Sequence, residues 1–176
     1  MEDNFELKLL NVHWLGGVKD MGQDLCAHGS VYIKINEEII SNSNNDWTVS
    51  AVALYLLRTL KQNYCAGDFN NFLLPCCGHF FVKEPNKPVC IMGCNKGIDW
   101  TILHEENNMV KHISKNNSTA IIAESKYKEL VYKFSDDVEN LYKKSIQRKP
   151  SNKYEEEGFN AFIEEWKILR NEIMIS

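Results

Sequence analysis

One stretch of the chain concentrates residues that can bind a metal or act as nucleophiles. Four of the six cysteines and two of the five histidines lie between Leu73 and Glu105. Zinc is usually held by four thiolate or imidazole ligands in a tetrahedron. Cys90 and Cys94 are separated by three residues, a spacing that a strand followed by a turn can close. With strands in the right alignment, the candidate zinc ligands are Cys77, His79, Cys90 and Cys94.

The spacing of these cysteines also has a simpler interpretation. The closely spaced Cys-x-x-Cys pairs that are typical of structural zinc sites are absent from the chain. Reduced cysteines commonly behave as small buried apolar side chains. Burial is therefore the favoured interpretation, and no cofactor is expected.

A cysteine nucleophile with a histidine base is a second possible chemistry. Cys76 or Cys77 could supply the thiolate, and the candidate bases are His28, His79 and His104. Adjacent residues of a strand point to opposite faces, so only one of the two cysteines could face a site. No flanking signature of a cysteine hydrolase is present. A metal- or thiol-dependent enzyme using residues 76–104 is therefore kept as the alternative function.

Two groups of carboxylates could form acidic docking surfaces. The first group is predicted to lie on a long helix, and the second in the first turn of a later helix, where acidic residues are favoured. Solvated helix faces are the simpler explanation of both groups, since the net charge is only −4. The candidate partner-binding residues are Asp136, Asp137, Glu139, Glu155, Glu156 and Glu157.

The elements that must position these residues follow from hydrophobic periodicity. Alternation with a period of two predicts strands, and the cysteine-rich stretch has the form of a β-meander, closed by proline- and glycine-containing turns. Apolar residues at helical spacing predict a helix from Thr48 to about Leu60, capped by Thr48 or Asp46, and a long helix from Glu124. Lys149-Pro150 breaks the long helix, and Ser151 or Asn152 can cap a last one. The predicted strands are Phe5–Leu9, Val31–Ile35, Glu38–Ser41, His79–Val82, Val89–Met92, Ile98–His104, Met109–Ile113 and Thr119–Ala123.

This order of elements predicts a single α+β domain over residues 1–176. Its sheet is expected to be mainly antiparallel, with one mid-chain helix and two C-terminal helices. A length of 176 residues is sufficient to bury a substantial core.

Composition excludes several classes of function. A net charge of −4 argues against a nucleic-acid-binding protein that works through phosphate contacts. No apolar run approaches the roughly 20 residues of a membrane helix, so no membrane partner is expected. The acidic start Met1-Glu2-Asp3 lacks the basic region of a signal peptide, which predicts a cytoplasmic protein with reduced cysteines.

Four phrases of the sequence resemble a known class of proteins. They are DLCAHG at Asp24–Gly29, WTVSA at Trp47–Ala51, PCCGH at Pro75–His79 and GCNKGIDW at Gly93–Trp100. Together they resemble small bacterial immunity proteins, which are encoded beside polymorphic or contact-dependent toxins. The resemblance implies a cytoplasmic binding protein that forms a complex with a cognate toxin and blocks it, without catalytic residues of its own. It assigns no role to any single residue.

Overall fold

The chain folds as an α+β protein with antiparallel sheets, one mid-chain helix and two C-terminal helices, as predicted. The structure is a computed structural model and describes residues 4–69, 71–76 and 80–172. The strands are Phe5–Leu9 (β1), Val31–Ile35 (β2), Glu38–Ser41 (β3), Leu74–Pro75 (β4), Phe80–Val82 (β5), Cys90–Met92 (β6), Gly97–Ile98 (β7), Trp100–Glu105 (β8), Met109–Ser114 (β9) and Thr119–Ala123 (β10). The helices are Val49–Thr59 (α1), Glu124–Lys144 (α2) and Lys153–Glu172 (α3).

The strands form two three-stranded sheets and two short pairs. One sheet has the order β1-β2-β3 and the other β10-β9-β8, while β4 pairs with β7 and β5 with β6. All of these pairings are antiparallel. The turns after β2 and after β9 place Asn36 (φ 54°) and Asn117 (φ 65°) in the left-handed region, which asparagine tolerates better than most residues.

The predicted strand from Ile98 to His104 is interrupted at Asp99. The residues before Asp99 pair with β4, and those after it pair with β9. The Asp99 carboxylate accepts hydrogen bonds from the Tyr64 hydroxyl and from the backbone N–H groups of Gly67 and Leu73. This anchoring of a loop to the carboxylate diverts the backbone between two sheets, so the cysteine-rich stretch is not one continuous meander.

Helix α1 is more deeply buried than its predicted apolar stripe implied. Every residue from Val49 to Thr59 is buried except Arg58, because sheets and helices surround α1. The predicted caps differ in outcome. Thr48 occupies the N-cap position without a side-chain cap, and its hydroxyl donates to the Cys76 carbonyl instead (3.3 Å). Asn152 does cap α3, since its side-chain oxygen accepts the Glu155 N–H at 3.0 Å.

The apolar faces of α2 and α3 cover the core, as their spacing predicted. Tyr127, Val131, Phe134 and Val138 of α2 are buried, together with Phe162 and Trp166 of α3. One cluster of buried side chains draws residues from β1 through to α3. Among the described residues, no helix has the length and apolar character needed to cross a membrane.

His112 on β9 is a fully buried titratable group of the core. Its ring stacks on Phe5 of β1, with 3.7 Å between centroids, and the Trp100 indole N–H donates to its Nδ1 at 3.3 Å. No described residue forms a hydrogen bond with Nε2. Burial lowers the pKa of His112 to about 3, so the ring is neutral in the folded protein.

We expect the stability of the protein to fall on mild acidification because of His112. In the unfolded chain a histidine takes up a proton near about pH 6.5, whereas folded His112 resists protonation until about pH 3. The folded protein therefore has its full stability, as far as His112 is concerned, above about pH 6.5, and loses part of it as the pH falls towards about 3. Each pKa unit corresponds to about 1.4 kcal/mol, so the loss amounts to a few kcal/mol.

Urea unfolding at a series of pH values measures this effect. The variant His112→Gln keeps an acceptor for the Trp100 indole but does not titrate. Its free energy of unfolding should depend on pH less steeply than that of the wild type between about pH 6.5 and 5. Equal slopes for the two proteins would rule out His112 as the source.

Candidate functional site

Several large apolar side chains stand exposed on and beside the Gly16–Asp24 loop, on the β5–β6 pair and near the start of α3. We call this set the apolar patch. The Val18 side chain is fully exposed, and Leu15 and Tyr154 retain 69% and 57% of their accessible surface. Exposed apolar side chains that lie together mark protein–protein or membrane contact sites more often than single exposed residues do. The apolar patch consists of Leu15, Val18, Met21, Phe80, Met92, Ile146 and Tyr154.

Buried polar contacts hold the loop that carries the first half of the patch. The Arg148 guanidinium lies over the Trp14 ring, 3.9 Å from its centroid, and donates to the Asp20 carboxylate at 2.7 Å. The Lys149 N–H donates to the Gly22 carbonyl at 2.7 Å, beside Ile146. The loop is therefore fixed at its base, while its apolar side chains are exposed to solvent.

Asp24 fixes the start of the same loop. One carboxylate oxygen accepts the Leu15 N–H at 2.9 Å and lies 3.5 Å from Nε2 of His28, while the other accepts the Cys26 N–H. Burial alone would raise the pKa of Asp24, but the His28 and backbone hydrogen bonds outweigh it and hold the pKa below its usual value. Asp24 is thus a charged anchor of the loop. His13 forms a parallel contact nearby, 3.4 Å from Asp46.

The second half of the patch comes from β5, β6 and α3. Phe80 lies opposite Met92 in the β5–β6 pair, and Tyr154 lies in the first turn of α3. Phe80 and Tyr154 line a small cavity of about 170 Å³ together with Gln23 and Asp24, at the end of the loop. The second half of the patch therefore borders the loop that carries the first half.

The structure separates the predicted acidic residues of α2. Asp137 pairs with Lys133 at 2.9 Å and lines a groove beside β1. Glu139 pairs with Lys143 at 3.1 Å and faces a notch beside α3, whereas Asp136 pairs with Arg170 of α3. Each carboxylate thus has a basic neighbour within the protein, and the three do not form one acidic face.

The predicted acidic residues of α3 lie next to the apolar patch. Glu155 lines the small cavity, and its carboxylate accepts the Ser151 N–H at 2.7 Å. Glu157 lies 3.8 Å from Lys153. The Glu156 side chain is exposed and has no ion-pair partner among the described residues, which makes it the most available of the six predicted carboxylates. Partner binding by any of them remains a prediction.

The candidate metal ligands are only partly within the described residues, since Cys77 and His79 lie outside them. Cys90 is half-buried on β6, and the Cys94 thiol lies 3.8 Å from the Lys96 carbonyl oxygen. That carbonyl also accepts the Cys76 N–H, so Cys76 and Cys94 lie near each other. No group of three or more potential metal ligands occurs among residues 4–69, 71–76 and 80–172. The zinc site remains a prediction.

The histidines proposed as bases have contacts of their own. His28 faces Asp24, and Nε2 of His104 lies 2.8 Å from the Thr59 carbonyl oxygen. His79 lies outside the described residues.

A groove of about 810 Å³ lies between the β3 edge and the β7–β8 segment. Asp99 lies at its floor, where burial raises the pKa of the carboxylate. Hydrogen bonds from Tyr64, Gly67 and Leu73 already occupy the carboxylate oxygens. Asp99 therefore anchors the loop between Tyr64 and Leu73.

Sequence patterns did not identify the apolar patch. Leu15, Val18 and Met21 lie in a segment without strand or helix periodicity, so no role was predicted for them from the sequence. The available signal was the presence of three large apolar residues around Gly16-Gly17, where a solvated loop would carry polar ones. Comparisons of the chain with protein-family models, with curated proteins and with solved structures identify no similar protein.

Proposed function

We propose that this protein binds a cognate bacterial toxin and neutralises it by forming a complex, with the apolar patch as the docking surface. The observation that carries the proposal is the exposure of Val18, Leu15, Phe80 and Tyr154, two of which, Phe80 and Tyr154, line one cavity together with the end of the loop. The resemblance of the four sequence phrases to immunity proteins supports the toxin as the partner.

The energetics of the patch favour a protein partner. Full burial of one large apolar side chain contributes about 1.5–3 kcal/mol. Interface energy is concentrated in a few central residues, among which tyrosine is enriched. The buried anchors at Asp20, Asp24 and Arg148 pre-order the loop, which lowers the entropy lost on binding.

The charge beside the patch indicates the chemistry of the opposing surface. Glu155 borders the cavity, and Glu156 is exposed on the next position of α3. Carboxylates at the rim of an interface steer a basic partner and raise the association rate more than the affinity. We therefore propose that the toxin presents an apolar surface with lysine or arginine at its rim.

A rescue assay tests the function directly. The C-terminal region of the product of the neighbouring upstream gene is expressed in a test bacterium, with and without this protein. We expect growth to stop with the neighbour alone and to recover when this protein is present. A toxic neighbour that this protein fails to neutralise would contradict the proposal, as would a harmless neighbour.

Single substitutions in the patch test the docking surface. We expect Val18→Asp and Tyr154→Asp to weaken toxin binding by about tenfold or more, because each places a charge where an apolar contact is buried. The matched control is Ile121→Asp, a substitution of another exposed apolar residue, on β10. Affinity is measured by calorimetry, and the thermal midpoint confirms that each variant folds.

The two tests separate the function from the surface. If the wild type rescues growth and the patch variants bind as tightly as Ile121→Asp, the toxin is the partner but another surface binds it. If the wild type does not rescue growth, the function itself is wrong.

A further inference from the structure

Strand β1 has an open edge. In the described part of the chain, β1 pairs with β2 alone, and it ends the β1-β2-β3 sheet. A groove of about 590 Å³ runs between this edge and α2 and is lined by residues 5–10. Open strand edges present a row of unpaired backbone groups that can pair with another chain.

The hydrogen-bonding pattern shows which groups face the groove. The Asn36 N–H donates to the Asn4 carbonyl at 2.6 Å, and the Leu10 N–H donates to the Ser30 carbonyl at 2.8 Å. Alternate residues of an antiparallel strand bond to the same neighbour. With the register Leu7 opposite Ile33, even-numbered residues therefore bond to β2. The N–H and C=O groups of Phe5, Leu7 and Leu9 point away from β2, towards the groove.

The charges on β1 are self-complementary about Leu7. Glu6 and Lys8 lie on the face of β1 opposite to the buried Phe5 and Leu7 side chains, and the Lys8 ammonium already contacts the Glu6 carboxylate. If two copies of β1 pair antiparallel with Leu7 opposite Leu7, Glu6 of each copy lies opposite Lys8 of the other. Opposite charges that face each other across strands stabilise the pairing, and like charges weaken it.

The wall of the groove on α2 repeats the same symmetry. Lys126, Glu129, Lys133 and Asp137 line the groove in this order along the helix. In an antiparallel arrangement of two copies, Lys126 faces Asp137 and Glu129 faces Lys133. These four charged residues and Leu7 line the same groove. A single two-fold axis can therefore relate both β1 and α2 to their copies in a second molecule.

We infer that β1 pairs with β1 of a second copy of this chain, so that the two three-stranded sheets join across a two-fold axis. Phe5 pairs with Leu9 of the second copy, and Leu7 pairs with Leu7, each pair exchanging two hydrogen bonds. The inference is independent of the proposed toxin partner, since the apolar patch contains no residue of β1 or α2.

Charge reversal on β1 tests the inference without a ligand. Sedimentation of the purified protein over a range of concentrations should show a reversible dimer. We expect Glu6→Lys and Lys8→Glu each to raise the dimer dissociation constant by at least tenfold, because each variant places like charges opposite one another. An equimolar mixture of the two variants should recover dimers, since the heterodimer is again complementary. The matched control, Lys115→Glu in the turn after β9, should dimerise like the wild type.

Hydrogen exchange provides a second readout. The amide protons of Leu7 and Leu9 should become more protected as the protein concentration rises, whereas those of Glu6 and Lys8 are protected at every concentration. A wild type that remains monomeric throughout would overturn the inference. So would a dimer that both variants leave unchanged, or variants that fail to recover dimers when mixed.

Discussion

Replacing Gly158 with alanine is expected to destabilise the protein by about 3 kcal/mol or more. A Cβ atom at Gly158 would lie 1.8 Å from the carbonyl oxygen of Phe81 and 2.6 Å from the carbonyl carbon. These are backbone atoms of β5, so no side-chain rotation can relieve the overlap. Helix α3 would have to move away from β5 and thereby separate Phe162 from Phe81, whose rings now stack at 4.2 Å.

The sign of this effect is opposite to the one that helix propensity gives. Within a helix, alanine is favoured over glycine by about 1 kcal/mol. The matched control is Asn160→Ala, since Asn160 lies two residues after Gly158 in α3 but is exposed. This substitution should leave the stability unchanged or raise it slightly. Urea unfolding followed by circular dichroism gives both free energies. A Gly158→Ala variant at least as stable as the wild type would show that β5 and α3 are not in close contact.

Replacing Arg58 with alanine is expected to cost about 3–5 kcal/mol of stability. Arg58 is the one residue of α1 that is not fully buried, and its guanidinium donates to both carboxylate oxygens of Glu165 at 2.7 and 3.1 Å. It also donates to the Val89 carbonyl at 2.7 Å, while the Val89 N–H donates to Glu165. Both side chains are mostly buried, so the substitution leaves the Glu165 carboxylate in the interior with its charge uncompensated.

An exposed ion pair provides the comparison for Arg58. Lys133→Ala removes the partner of Asp137 on the surface of α2 and should cost less than about 1 kcal/mol. The double variant Arg58→Met with Glu165→Met should lose less stability than the sum of the two single variants, because no unpaired charge remains. If the free energy of unfolding of Arg58→Ala lies within about 1 kcal/mol of the wild-type value, the Arg58–Glu165 pair contributes no more than a surface ion pair.

Much of the fold was predictable because burial imposes periodicity on the chain. Val31, Ile33 and Ile35 alternate along β2 and are all buried, and the stripe from Tyr127 to Val138 on α2 faces the core as its spacing indicated. These patterns are local, because the apolar or polar character of a residue indicates only whether its own side chain is buried.

The features that were missed depend on the identity of a distant neighbour. The sequence of α3 alone gives no sign that the Phe81 carbonyl approaches Gly158. Nor does it indicate that Arg58, more than 100 residues earlier, lies beside Glu165. Alternation along the predicted strand Ile98–His104 would place Asp99 on the outward face, although its carboxylate anchors a loop from another part of the chain.

The candidate site was harder to predict for the same reason. Acidic residues could be counted in the sequence, but whether each one is available depends on lysines and arginines nearby, such as Lys133 for Asp137 and Arg170 for Asp136. The residues of the apolar patch come from five separated segments, and no periodicity connects Val18 with Tyr154.

The contacts of α3 also bear on how the chain acquires its structure during synthesis. Arg58 and Phe81 emerge from the ribosome well before Gly158 and Glu165, the residues that pack against them. Translation proceeds at about 5–20 residues per second. For several seconds, therefore, Arg58 of α1 and one face of the β5–β6 hairpin lack their contacts with α3. The nascent chain must remain unaggregated through that interval, and docking of α3 is the step that ends it.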